Sequence, residues 1–214
     1  MNKEMQSSGL EMFLFFSELL GQKAVGHTGK PVGEMQDLKV RLGDPYPKVT
    51  ALLIKRRRPQ GSLSLDWSEV RSLNGGTIHL KEGAEAKLAA HEVRQDEILL
   101  RQDLLDKQVV DTHGARIERV NDVHLLVVRS DLHIVHVDIG IRGILRRLGW
   151  LRAVDALTDW LFAYQLREKM VSWKYVQPLA AGLMKQNLKL NVKLQTLREI
   201  HPSDLADILE DLDQ

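Results

Sequence analysis

One phrase occurs twice in this chain: HTGKPVGEMQDL from His27 to Leu38, and THGARIERVNDV from Thr112 to Val123. A shift of 85 residues lays Leu19 on Leu104, Leu20 on Leu105, Val25 on Val110, Gly29 on Gly114 and Asp37 on Asp122. It also sets Glu18 against Asp103, Val32 against Ile117, Met35 against Val120 and Leu38 against Val123. The agreement is in alternating apolar positions around a turn glycine, which is what a repeated β unit has to preserve. The chain therefore reads as two copies of one small β unit.

In the first copy, Lys23 to Val25 reads as a strand and Gly26-His-Thr-Gly29 as a tight turn, its last glycine free to take a positive φ. Val32 to Arg41 reads as a second strand and the β-branched run Lys48 to Lys55 as a third. Leu63 to Leu65, Trp67 to Val70 and Thr77 to Leu80 follow, the last behind the turn Asn74-Gly-Gly76. Five or six short strands in this span predict a small closed or nearly closed barrel.

The second copy keeps the order, with Gln108 to Val110, a turn at Gly114, Ile117 to Val128 and His133 to Ile139. It then departs. Trp67-Ser-Glu-Val70 recurs as Trp173-Lys-Tyr-Val176 at an offset of 106, so about 21 residues have been inserted. The insertion, about 143–170, shows helical spacing in Leu148, Leu151, Val154, Leu157 and Leu161, with a break at Gly149.

Beyond Pro178 the composition changes again. A polar connector leads to Leu194–Leu212, LQTLREIHPSDLADILEDL, with an apolar stripe at Leu197, Ile200, Leu205, Ile208, Leu209 and Leu212. Pro202 and Ser203, with Asp204 and Asp207 next, predict a helix start near residue 203. A helix opening this close to residue 214 is expected to belong to something larger. The expected organisation is a first barrel over 1–95, a second over 96–180 with its helical insertion, and over 181–214 a connector and the start of a helical domain.

Composition narrows the function classes. With 43% apolar and 28% charged residues and a net charge of +1, the chain has an ordinary globular balance and no dominant nucleic-acid or anionic-membrane footprint. The absence of cysteine removes disulfides, thiolate metal sites and cysteine nucleophiles, and it fits a reducing cytoplasm. No apolar run approaches the roughly 20 residues of a membrane-spanning helix. There is no G-x-S-x-G, H-E-x-x-H, P-loop or dinucleotide fingerprint, so the expectation is a protein that is not an enzyme.

The stretch SELLGQKAVGHTGKPVGEMQDL from Ser17 to Leu38, with DWSEV at 66–70, resembles the PRC-barrel family, a small β-barrel found in ribosome-maturation factors and in a photosynthetic reaction-centre subunit. The second copy, DLLDKQVVDTHGARIERVNDV with SWKYV, fits the outline more loosely: Asp106 stands where the first copy has Gly21, and Glu118 where it has Gly33. From Ile200 to Leu212 the chain resembles the opening of the helical N-terminal cytosolic domain of MgtE-type magnesium transporters. Such domains are normally followed by CBS domains. Together these resemblances imply a mainly β chain with added α and a cytoplasmic setting at the inner face of a membrane. The implied role is a regulatory or adaptor one in divalent-cation transport, through protein contacts and homodimerisation. The implied partners are CBS-like domains, with a membrane reached only through an associated transporter part. The alternative is an adaptor in RNA maturation or ribosome assembly.

Several residues invite chemistry. Asp204, Asp207 and Asp211 share a helical face and can offer oxygens to magnesium, against the simpler reading of a solvated, acid-rich helix start. No cofactor is expected in this chain itself, and the MgtE resemblance implies magnesium for a longer protein. His124, His133 and His136 with Asp138 have transition-metal ligand chemistry, but strand alternation puts His133 and His136 on opposite faces. Lys55 to Arg58 is a basic run without interleaved aromatics, read as a solvated hairpin tip. The interface candidates lie in the insertion: Arg146, Leu148, Trp150, Leu151, Trp160 and Phe162, a tryptophan–arginine–leucine mix suited to docking on the barrel, on a second copy or on a surface.

Overall fold

The computed structural model describes residues 12–43, 45–56, 61–162 and 168–178. The protein is mainly β with added α, and its sheets are curled. The first copy supplies β1 (Met12–Phe15), a one-turn α1 (Phe16–Leu19), β2 (Lys23–Val25), β3 (Pro31–Arg41), β4 (Lys48–Arg56), β5 (Gly61–Asp66), β6 (Val70–Asn74), β7 (Thr77–Leu80) and the short β8 (Ala89–Ala90). The second supplies β9 (Glu97–Leu99), a π turn over Leu100–Leu104, β10 (Gln108–Asp111), β11 (Arg116–Arg119), β12 (Asp122–Val128) and β13 (Asp131–Asp138). The insertion is helical, as expected, and forms α2 (Ile141–Arg147) and α3 (Leu151–Phe162), after which β14 (Met170–Ser172) and β15 (Val176–Pro178) close the copy.

The repeat is reproduced down to its irregularities. β3 and β4 pair antiparallel with a bulge that leaves Thr50 extra, and β12 and β13 pair with the same bulge leaving Val135 extra, 85 residues later. A bulge inserts one residue and restores the following side chains to the opposite alternation. In the second copy Leu126 therefore faces His133 while His124 faces His136. The strand alternation expected for His133 and His136 is broken there, and both lie on the outward face. The long strand expected over Ile117 to Val128 is also divided, into β11 and β12 at Val120–Asn121. In the turn at Gly114 the positive φ falls on Ala115, and Trp67–Glu69 and Trp173–Tyr175 are 3-10 turns rather than strand.

What sequence could not show is that the two halves exchange their first strands. β1 pairs with β12 of the second half, Phe15 opposite His124, and β9 pairs with β3 of the first half, Leu99 opposite Lys39. Each exchange is pinned by the repeated aspartate. Asp122 accepts from the backbone N–H of Ser17 (3.1 Å) and from its hydroxyl (2.6 Å), and Asp37 accepts from the N–H groups of Arg101 (2.8 Å) and Gln102 (3.3 Å). Ser17 and Gln102 are themselves 85 apart, but Phe15 and Leu99 are 84 apart. The second copy thus carries one extra residue between strand and aspartate cap, and the chain absorbs it by winding the turn as π instead of α. Phe16, Leu38, Leu52 and Trp67 of one half and Leu100, Leu125, Ile134 and Trp173 of the other belong to a single buried cluster. The boundary expected at residue 95 falls between β8 and β9, and hydrogen bonding crosses it in both directions.

Candidate interaction surface

The insertion occupies the place of a hairpin tip. β4 and β5 stay paired from Ala51 opposite Asp66 to Arg56 opposite Gly61, whereas the strands around the equivalent pair His136 and Ser172 part after Asp138 to let α2 and α3 through. Gly149, with φ +72°, ends α2 and turns the chain into α3, where the sequence predicted a break. Arg142 on α2 holds Asp155 on α3 through two nitrogens at 2.9 and 3.0 Å, so the two helices form one arm.

The first helix of this arm is inside out. An ordinary surface helix turns its apolar stripe to the core and its charges to water. In α2 the residues directed at the barrel are Gly143, Arg146 and Arg147, and the i, i+3, i+7 stripe of Ile141, Ile144 and Leu148 faces solvent. Leu148 is 57% exposed and the following Trp150 63% exposed, with Leu157 of α3 exposed beside them in sequence order. Gly143 is required by close approach, because a Cβ there would stand 2.9 Å from Asp138 Oδ2 and 3.2 Å from Asn121.

The inward face is electrostatic. One Arg146 nitrogen lies 3.1 Å from Asp122 Oδ2 and 3.3 Å from Asp138 Oδ2, and the other lies 3.4 Å from Glu168. The guanidinium carbon sits 3.3 Å over the Phe15 ring centre, a cation–π contact with the exchanged strand β1. Both aspartates are fully buried, and burial pushes Asp138 above the ordinary carboxylate range, opposed by its Gly140 N–H and by Arg146. Arg147 reaches Asp106 through paired contacts of 2.9 and 2.8 Å; that bond holds Asp106 below its usual value and raises the arginine. At the exit of the arm, Lys169 binds Glu118 at 2.9 Å.

These anchors fall where the second copy departs from the first. Asp138 stands for Leu53, Asp106 for Gly21 and Glu118 for Gly33, and each receives a cation from the arm or its exit. The departures at Asp106 and Glu118 were visible as exceptions to the repeat. Their meaning was not, because a repeat comparison does not say which way an inserted helix turns.

Among the interface candidates, Leu148 and Trp150 are exposed as a docking surface requires, and Leu151 is half-buried. Arg146 is not on that surface: its side chain, 9% exposed, turns inward and holds the arm to the barrel. Trp160 and Phe162 fall within α3, and their side chains lie outside the described residues, as do Asp204, Asp207 and Asp211. His124 and His136 are brought together, rings 5.6 Å apart, with burial and, for His124, the neighbouring imidazole lowering both from their usual value. Among the described residues no group of three or more His, Asp or Glu has the geometry to hold a metal ion. An open groove of about 340 Å³ beside Arg41, Lys48, Trp67 and Asp131 is lined by charges already paired, Lys48 with Asp131 at 2.7 Å and Arg41 with Asp96 at 3.2 Å. No described helix is long and apolar enough to cross a membrane. Neither a protein-family model nor a curated protein matches the chain.

Proposed function

We propose that the chain is a non-enzymatic docking module in which two strand-exchanged β halves hold out the α2–α3 arm, and that the arm receives an apolar helix. The supporting observation is the inverted helix α2. Three charged or close-packed positions fix it to the barrel, and its apolar stripe of Ile141, Ile144 and Leu148 stays exposed. Exposing Ile141, Ile144, Leu148 and Trp150 together is unfavourable by roughly 25 cal/mol per Å² of apolar surface, which a partner recovers on binding.

The occupant we commit to is the leucine-striped sequence of Leu197, Ile200, Leu205, Leu209 and Leu212. Its apolar spacing is complementary to the arm's stripe, and residues 179–193 are long enough to span up to about 50 Å. The resemblance of Ile200–Leu212 to the cytosolic domain of MgtE-type transporters supports a role in magnesium transport, with the barrels as scaffold and the ion sensed elsewhere. A cytoplasmic site of action follows from the same reading.

Because the chain has no cysteine, a pair of introduced cysteines reports proximity directly. Leu148→Cys combined with Leu205→Cys or Leu209→Cys is expected to form a disulfide within one chain under mild oxidation, whereas Phe13→Cys, exposed on β1, is not. A crosslink joining two chains through position 148 would assign the stripe to a second copy. No crosslink in either form would remove the docking reading.

A further inference from the structure

The halves differ at a second place, the tip that joins their long strands. β12 and β13 stay paired to the end, Val127 opposite Leu132 and Val128 opposite Asp131, whereas β3 and β4 stop at Arg41 opposite Lys48. Pro47 stands where the second half has Leu132, and it has no N–H to give to a ladder. Its carbonyl accepts instead from the N–H of Ile134 in the other half at 3.0 Å, and Lys48 lies opposite His133, its own equivalent in the repeat. The opened tip leaves the groove of about 340 Å³, walled by the first half and, from the second, by Asp131. Trp67 lines it and ties the halves together there, its indole N–H donating to the Ser130 carbonyl at 3.1 Å.

We propose that this groove is a binding site for a small zwitterion, a free α-amino acid, with Arg41 and Lys48 taking its carboxylate and Asp66 and Asp131 its ammonium. Arg41 and Lys48 are directly opposite across the β3–β4 ladder, an unfavourable place for like charges and one that an anion relieves. Arg41 meets Asp96 at 3.2 Å and Glu97 at 3.9 Å, and Lys48 meets Asp131 at 2.7 Å. Arg41, Lys48, Asp96 and Asp131 are each about half exposed, and ion pairs this open to water are weak enough for a ligand to exchange. Asp66 gives Oδ1 to the Ser68 N–H at 2.8 Å and Asp131 gives Oδ2 to Lys48, so each has a second carboxylate oxygen to offer.

The balance of charge decides the class of ligand. The lining carries two cations, Arg41 and Lys48, and two acids, Asp66 and Asp131. A lone anion meets the acids and a lone cation meets the bases, whereas a molecule bearing both charges answers both. Val49 and Trp67 add apolar wall for a side chain. The repeat separates these groups from ordinary barrel structure: Leu126 stands for Arg41, Val135 for Thr50 and Ser172 for Asp66 in the half whose tip is closed. Thr50, the bulged residue of β4, lines the groove as well. The site uses no residue of the arm and stands apart from the docking reading.

Titrating the whole chain with the standard amino acids, and separately with butylamine and butyrate, tests the site by NMR at the indole N–H of Trp67. At least one amino acid is expected to shift that signal saturably with a Kd below about 10 mM, and the two singly charged probes to bind at least about tenfold more weakly. Arg41→Met and Asp131→Asn are each expected to weaken binding about tenfold or more, the loss of one hydrogen bond to a charged group. Both positions are half exposed, so the amide spectrum of β12 and β13 is expected to stay that of the parent and shows that each variant is folded. No saturable shift with any amino acid would overturn the site. So would butyrate or butylamine binding as tightly as the best amino acid, or a folded variant binding it as tightly as the parent.

Discussion

The two halves solve one problem in opposite ways. Asp37 and Asp122 occupy the same position in the repeat, are both buried, and each caps the turn that follows the strand donated by the other half. Around Asp37 the anchor is neutral: backbone N–H groups of Leu38, Arg101 and Gln102, with Leu53 across the ladder. Burial drives this aspartate up to about 6 despite those three donors, with Asp103 adding to the rise. Around Asp122 a second acid, Asp138, has replaced the leucine, and Arg146 has arrived on an inserted helix to compensate both. The next ladder position carries the same contrast, Lys39 beside Glu97 in the first half and His124 under Phe13 in the second. A duplicated structural cap has become, in one copy only, the seat of an inserted element.

The comparison breaks most visibly at Arg146. Arg146→Met leaves two buried carboxylates without their cation and is expected to cost about 3–5 kcal/mol in denaturant unfolding, the range for breaking a buried pair from one side. Lys39→Met is expected to cost less, because Glu97 keeps Thr50 at 2.9 Å and the N–H of Arg94. Equal losses from the two would mean that the halves are anchored alike.

Next in size is the cap itself. Asp37→Ala strands the N–H groups of Arg101 and Gln102 and should cost roughly 1–3 kcal/mol. Its pH dependence sharpens the contrast. An acid raised from 3.8 to about 6 in the folded state binds its proton more tightly there than when unfolded, so its contribution is complete below about 4 and lost as pH rises through 6. Asp37→Asn should flatten that interval. The lowered histidines of the second half have the reverse sign, their contribution disappearing as pH falls, and His136→Ala should remove part of that acid loss.

Smaller effects test the arm's outer anchors. Asp106→Gly relieves a positive φ of 66° but frees Arg147, two opposed terms that should leave stability within about 1 kcal/mol while loosening the arm in hydrogen exchange. Smallest is Leu148→Ser with Trp150→Ser. These side chains are largely exposed, so stability should change by no more than about 0.5 kcal/mol while docking is lost. A large loss of stability would show that the stripe is already packed against something.

Much of this was legible in the residues. The alternating apolar positions around Val32 to Arg41 located the long strand β3, those from Ile117 to Val128 located β11 and β12 without showing their division, the shift to 3.6-residue spacing located the inserted helices, and Gly149 marked their break. Other features resisted. Alternation misassigned the faces of His133 and His136, because a single bulged residue, Val135, inverts every face beyond it and leaves no compositional trace. Arg146 read as a surface cation because a one-residue view of an amphipathic helix assumes that charge points outward.

By itself, then, the sequence determined that the chain is a β unit written twice, with a helical excursion in the second writing, because strand period, helix period and turn glycines are local properties that each stretch carries alone. Only the tertiary structure decided that the halves trade their first strands, that Asp37 and Asp122 clasp each other's turns, and that α2 turns its charges inward. Those choices depend on which residues meet across some 85 positions of chain, where a buried aspartate finds its donor or an arginine its acid. The energy that settles them arises only once water has been excluded from between the partners.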